Sequence, residues 1–224
     1  MSRERLDNRL ARDTGLSRTR AAAAILAGEV IVDGQPARKP GQPVSDEATV
    51  VHTPAPHEVS RAAGKLAPVL KTWDLSLQDR VVLDVGASTG GFTQTALEAG
   101  AARVYAVDVG HGQLAWTLRN DKRVVNLERT DIRDVSLPEQ PDLAVVDVSF
   151  ISLQKILPAV AALLGPAAPV VALFKPQFQV GRKEASRGKG VIRDPVIVER
   201  ARDELVRWLG EERWELVAQA PSEV

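Results

Sequence analysis

Leu6, Leu10, Leu16, Ala23, Ile25 and Leu26 recur at helical spacing through the first 27 positions, and Thr14-Gly15 interrupts them. Two short amphipathic helices are expected from Arg5 to about Ala27. Ser17 is placed to cap the second, because its hydroxyl can accept a backbone N–H of the first turn, and Gly28 is placed to end it. From Glu29 to Val32 the pattern changes to alternation and runs into Asp33-Gly34, a dipeptide favoured in two-residue hairpin turns. A second short strand is expected before Lys39-Pro40. Two helices followed by a hairpin make a small α+β module over residues 1–52.

After His52 the stretch TPAPHEV holds two prolines and little periodicity, so residues 53–59 read as an extended linker. Beyond it, apolar runs alternate with helical segments: VVLDV at 81–85, RVYAVDV at 103–109, RVVNL at 123–127, DLAVVDV at 142–148 and PVVALF at 169–174. Strands apolar along their whole length and separated by helices are what a parallel sheet covered on both faces requires. Residues 60–224 are therefore expected to form an α/β, Rossmann-like domain.

Composition narrows the chemistry. The chain has 224 residues, room for one ordinary domain plus a small module. Its 29 basic and 29 acidic residues cancel, so any affinity for nucleic acid must come from local clusters. No apolar run approaches the roughly 20 residues of a membrane-spanning helix, and MSRERLDNRL has no signal-peptide core. The expectation is a soluble, cytoplasmic protein. Without cysteine there are no disulfides, thiolate zinc sites or cysteine nucleophiles. Only His52, His57 and His111 offer imidazole, two of them in or beside the Pro-rich stretch, so no metal is expected.

The first long strand leads into Asp84-Val85-Gly86-Ala87-Ser88-Thr89-Gly90-Gly91-Phe92. Gly86 and Gly90 allow a tight turn, with Ala87 and Ser88 between them, at the crevice beyond the strand ends. Such a turn alone could bind a dinucleotide, another nucleotide or nothing. Asp108 sharpens the reading: it ends the second strand, 24 residues beyond Asp84, where a carboxylate can accept both hydroxyls of a ribose. The glycines do not follow G-x-G-x-x-G, and Asp84 precedes the loop where a methyltransferase places an acid, either to meet the cofactor's amino-acid end or to order the loop. Asp131 follows the third strand, where such folds contact adenine. The set reads as a site for S-adenosylmethionine; the alternative is three solvated aspartates at strand ends.

The fourth strand ends in Asp147-Val148-Ser149-Phe150 and the fifth in Phe174-Lys175-Pro176, while Ser60 to Leu66 opens a helix beside the first. This would gather Lys65, Asp147 and Lys175. Methyl transfer from a sulfonium is an in-line displacement that needs alignment and a nucleophile whose proton is managed. A lysine can direct or accept the proton of a ribose hydroxyl, while an aspartate holds a second ammonium in place. Lys175 is expected as the base, with Asp147 and Lys65 positioning the hydroxyl. Carbon-5 methylation of pyrimidines by a cysteine adduct is excluded, and Asp-Val-Ser-Phe is not the Asn/Asp-Pro-Pro-aromatic loop of amino-nitrogen methylation. Surface lysines are the competing reading.

Two basic clusters suit phosphate contact: Arg5, Arg9, Arg18 and Arg20 among the arginines of the N-terminal helices, and Arg182, Lys183, Arg187 and Lys189 in a Gly-rich loop after Lys175. Charge runs also occur as solvated faces.

Residues 5–44 resemble the S-four-type RNA-binding domain, through Arg5-Leu6-Asp7, Leu10, Ser17-Arg18, Ala22, Gly28, Val30 and Gly34. Residues 60 to about 195 resemble the TlyA, or hemolysin-A-like, branch of the 2'-O-methyltransferases in DVGASTGGFT, DVGHGQLAWTLRND, LERTDIRD, DVSFISL, KPQF and GVIRDP. The resemblance implies methylation of cytidine 2'-hydroxyls in ribosomal RNA. It also implies a Lys-Asp-Lys-Glu catalytic set whose first three members fall on Lys65, Asp147 and Lys175. Departures are Glu58, where the family has an aromatic residue nearby, Ala62-Ala63-Gly64 before the first lysine, and Gln179 in place of glutamate. Arg213 to Ala218 is expected as a sixth strand. The family's Gly-Asn-x-Glu segment and seventh strand have no counterpart before Val224, which leaves the fourth catalytic residue unmapped and implies a C-terminally truncated or divergent copy. A second reading follows, an RNA-binding protein that keeps the cofactor pocket but has lost turnover. Lysis of membranes, suggested by the hemolysin name, has no support, because no helix carries a broad apolar face with aromatic anchors.

Overall fold

The computed structural model describes residues 3–52, 63–180 and 192–222. The chain divides into two compact units, Met1–His57 and Glu58–Val224.

In the first unit, β1 (Arg3–Arg5) leads directly into α1 (Leu6–Thr14), and α2 (Arg18–Leu26) follows after Gly15. Ser17 caps α2 by accepting the Arg20 N–H. β2 (Val30–Val32) and β3 (Gln35–Pro36) form the expected hairpin, with Asp33 and Gly34 both at positive φ in its two-residue turn. Two pairings were not evident from the pattern: β4 (Pro43–Ser45) runs antiparallel to β1, and β5 (Val50–His52) runs antiparallel to β2. The core is Leu6, Leu10, Ile25 and Val30 with small residues of α2 and the loops.

The second unit is built on a parallel five-stranded sheet of order β10-β9-β6-β7-β8. The strands are β6 (Val81–Val85), β7 (Arg103–Asp108), β8 (Val124–Glu128), β9 (Leu143–Val146) and β10 (Val170–Ala172). Alternation sends Val82, Val104 and Val145 to one face, under α3 (Ala63–Thr72), α4 (Gly91–Glu98) and α5 (Trp116–Arg119). It sends Leu83, Val85, Val107 and Val146 to the other, under α6 (Leu153–Leu163) and α8 (Pro195–Glu211). Between them in sequence lies α7 (Pro176–Gln179). The chain steps outward from β6 to β8 on one side and from β9 to β10 on the other. The order therefore reverses between β6 and β9, and a crevice opens beyond their C-terminal ends.

Several expected boundaries shift. β9 stops at Val146 and β10 at Ala172, short of residues 148 and 174, because the chain there turns out of the sheet into the crevice. Pro176 is not the end of the fifth strand but the first residue of α7, where a fixed φ and a missing N–H fit the first helical turn. Arg213 to Ala218 is not a strand. It finds no ladder partner among the described residues, and a strand without one leaves its backbone groups unpaired. The linker 53–59 and the start of the helix at Ser60 lie outside the described residues.

Candidate active site

A cavity of about 370 Å³ sits at the reversal point, lined by Gly86 and Ser88 after β6, Asp108 to Gly110 after β7, Thr130 to Ile132 after β8, and Asp147 to Ile151 after β9. Its volume suits a nucleoside-sized ligand. Gly86 has φ +86°, and a Cβ there would stand 2.7 Å from the carbonyl oxygen of Asp147. The glycine thus lets the first loop press against the fourth. Gly90, the N-cap of α4 at φ +103°, is hemmed by Leu114 and Leu118 rather than by the cavity.

The three aspartates have different surroundings. Asp84 faces α4, because period-two alternation turns it from the crevice into the core. It is fully buried and accepts the Thr93 hydroxyl at 2.5 Å. Burial pushes its carboxyl up to about 7. It does not line the cavity; its contact orders the first turn of α4. Asp108 does line it, and its carboxylate is fixed by the Ser88 N–H at 2.8 Å and the Gly110 N–H at 2.6 Å. Each oxygen keeps lone-pair capacity for a hydroxyl donor. Asp131 also lines the cavity, but both its oxygens hold Arg133, whose guanidinium keeps the carboxyl at about 2.

Lys65 from α3, Asp147 after β9 and Lys175 after β10 come together. Asp147 lies 3.4 Å from Lys65 Nζ through Oδ2 and 2.5 Å from Lys175 Nζ through Oδ1. All three side chains are mostly buried, between 12% and 22% exposed, so their charges interact with little screening. Lys175 also donates to Ser149 Oγ at 3.0 Å.

Three features were missed in the sequence. Ser149 shares the Lys175 ammonium with Asp147, and its place two residues after the acid in the Asp-Val-Ser-Phe phrase was the available signal. Phe150 is 92% exposed at φ +67°, with its ring 5.1 Å from that of Phe178. Gln179, noted only as a departure, accepts the Leu153 N–H and so ties α7 to the start of α6. In the first unit, Asp7 is buried and draws Arg5 and Arg18 together, which holds its carboxyl at about 2. Arg9 is committed to Asp13 and to the carbonyls of Ser45 and Asp46, while Arg20 is exposed. Arg182, Lys183, Arg187 and Lys189 lie outside the described residues. Among the described residues no acid, histidine or cysteine cluster could hold a metal, and no helix is long and apolar enough to cross a membrane.

A parallel sheet whose order reverses over a cavity with a strand-end acid, beside a Lys-Asp-Lys cluster, defines a Rossmann-type methyltransferase domain. Residues 58–224 match the FtsJ-like methyltransferase family and residues 4–50 match the S4 domain. The chain is 49% identical over 201 residues to the Mycobacterium tuberculosis protein named 16S/23S rRNA (cytidine-2'-O)-methyltransferase TlyA, covering 86% of this chain and 74% of that one. It is 40% identical over 188 residues to Hemolysin A of Brachyspira hyodysenteriae, covering 82% and 78%. A solved structure from Streptococcus thermophilus, described as a candidate hemolysin, superposes with a TM-score of 0.71 at 37% identity, over 100% of this chain and 84% of that one. The chain belongs to the TlyA, or hemolysin-A-like, family of FtsJ-like methyltransferases that carry an S4 domain.

Proposed function

We propose that the chain transfers a methyl group from S-adenosylmethionine to the 2'-hydroxyl of cytidine in ribosomal RNA. The observation that carries this reading is the convergence of Lys65 and Lys175 on Asp147 at a cavity also lined by Asp108. The name of the Mycobacterium tuberculosis relative supports the acceptor.

The residues present fit the cofactor. Asp108, fixed by two backbone N–H groups, would accept its ribose hydroxyls; the Gly86-Ala87-Ser88 turn would approach its middle, and Asp131 its base. Asp84 and Gly90 act from behind, by setting the start of α4. S-adenosylmethionine, when bound, supplies a methyl sulfonium as the electrophile.

The acceptor oxygen is a weak acid and a weak nucleophile until its proton is drawn off. Lys175, as the neutral amine, would take that proton as the oxygen attacks the methyl carbon, the carbon–sulfur electron pair staying on the sulfur of the leaving thioether. Asp147 holds both lysines, and the Lys65 ammonium, joined by Lys175 once it has taken the proton, favours the negative charge developing on the oxygen. Arg5, Arg18 and Arg20 of the S4 domain would contact phosphates, and the basic sequence cluster Arg182, Lys183, Arg187 and Lys189 would add further phosphate contacts. Such a substrate puts the enzyme in the cytoplasm.

The test is transfer of labelled methyl from S-adenosylmethionine to ribosomal subunits and naked ribosomal RNA, followed by digestion to nucleosides. Label in 2'-O-methylcytidine is expected. RNA binding without transfer would replace this reading with that of a binding protein that retains the pocket.

A further inference from the structure

Asp108 and Glu128 are register partners at the ends of the neighbouring strands β7 and β8. Asp108 belongs to the site above. Glu128 does not line the cavity, yet its side chain is only 9% exposed and accepts four hydrogen bonds. Its Oε1 takes the backbone N–H groups of Gln113 at 2.7 Å and Leu114 at 3.0 Å. Its Oε2 takes Arg119 Nη2 at 2.7 Å and Asn126 Nδ2 at 3.2 Å. The Leu114 N–H foremost, with Asn126 and the neighbouring amides, holds the carboxyl at about 2.

The loop that Glu128 grips is part of the cavity wall. Gln113 lines the cavity and accepts the Ser88 hydroxyl at 3.1 Å. Ala115 N–H donates to the Thr89 carbonyl at 3.0 Å, and Asp108 holds the loop's other end through Gly110. Loop 110–115 is therefore clasped to the Gly-rich turn on one side and to two strand-end carboxylates on the other. We infer that Glu128 is a positioning residue for the cofactor pocket, fixing Gln113 and through it Ser88. This rests on the reading of the cavity as the S-adenosylmethionine site.

The division of labour between the two oxygens makes the inference separable from a general role in charge or stability. In E128Q an amide oxygen in the place of Oε1 still accepts both loop N–H groups, while the amide nitrogen faces Arg119 and Asn126, both donors. In E128D the charge stays, but the carboxylate is withdrawn by one methylene from Gln113 and Leu114. Positioning therefore predicts that E128D is the more damaging change, whereas a charge role predicts that E128Q is.

The measurements are calorimetric affinity for S-adenosylmethionine alone and amide hydrogen exchange over residues 112–115. E128D is expected to weaken affinity about tenfold and to speed exchange in the loop, and E128Q to stay within about threefold of wild type. Exchange in β6 and β7 should be unchanged in both. Wild-type affinity in E128D, or a larger loss in E128Q than in E128D, overturns the inference. Wild-type protein that binds no S-adenosylmethionine overturns the reading of the cavity, and the inference with it.

Discussion

Replacing Lys175 with methionine removes the terminal amine while keeping most of the stem. The stem matters because the Lys175 side chain is 18% exposed and its ammonium lies 5.9 Å from the centre of the Phe178 ring, so truncation to alanine would also open a gap. K175M takes away the group that lies 2.5 Å from Asp147 and 3.0 Å from Ser149. Asp147 keeps only Lys65, at 3.4 Å, and the site loses the amine that takes the proton of the acceptor oxygen. General-base assistance contributes about 10²- to 10⁴-fold in rate, or roughly 3–5 kcal/mol of activation free energy. Lys175 is not among the residues lining the cavity, so affinity for S-adenosylmethionine should stay within about threefold of wild type. Single-turnover methyl transfer to ribosomal RNA at saturating cofactor reads the first quantity, and calorimetry the second. A K175M protein that transfers methyl within about threefold of the wild-type rate would refute the assignment of Lys175. An equal loss in cofactor affinity would move Lys175 from proton transfer to binding.

G86A sets a side chain 2.7 Å from the Asp147 carbonyl oxygen at a φ of +86°, so it should cost about 2–3 kcal/mol of unfolding free energy, read as a lower urea midpoint; an unchanged midpoint would show that the two loops do not press together. Asp84 gives a pH-dependent prediction. Burial pushes its folded carboxyl up to about 7, above the ordinary value of 3.8, so the folded state holds a proton that the unfolded state releases, and the group lowers stability progressively as pH rises from about 4 to about 7. D84N removes that dependence: its advantage over wild type should grow by up to about 4 kcal/mol across this window and then level off, as measured by urea unfolding at each pH. Parallel stability profiles would contradict the buried, protonated carboxyl.

The parallel sheet was legible because its strands are apolar on both faces, and runs such as VVLDV have few other destinations than a covered interior. The convergence of the Gly86–Ser88 turn and Asp108 on one cavity was legible because strand ends in such a sheet point into one crevice. The direction of Asp84 was also available: two positions after Val82 in a strand, it must share that residue's face, under α4. The pairing of β1 with β4 was not legible, since Arg3-Glu4-Arg5 is polar and meets Pro43–Ser45 only after two helices and a hairpin have intervened. Phe150 was hidden for another reason. A bulky residue at positive φ defies local preference, and only the surrounding loop fixes it. Arg213 to Ala218 has strand-like residues but no ladder partner among the described residues, and a strand exists only as a pair. Glu128 lay inside the LERTDIRD phrase, but its grip on residues 113 and 114 depends on a loop folding back over a strand end.

The central claim is that this chain places a methyl group on a ribose oxygen of ribosomal RNA. Its most direct test is to incubate the protein with ribosomal subunits and labelled S-adenosylmethionine, digest the RNA to nucleosides and identify the labelled product by mass. Label in 2'-O-methylcytidine, lost in K175M, is the predicted result. Label on a base, or RNA binding with no transfer at all, would contradict it.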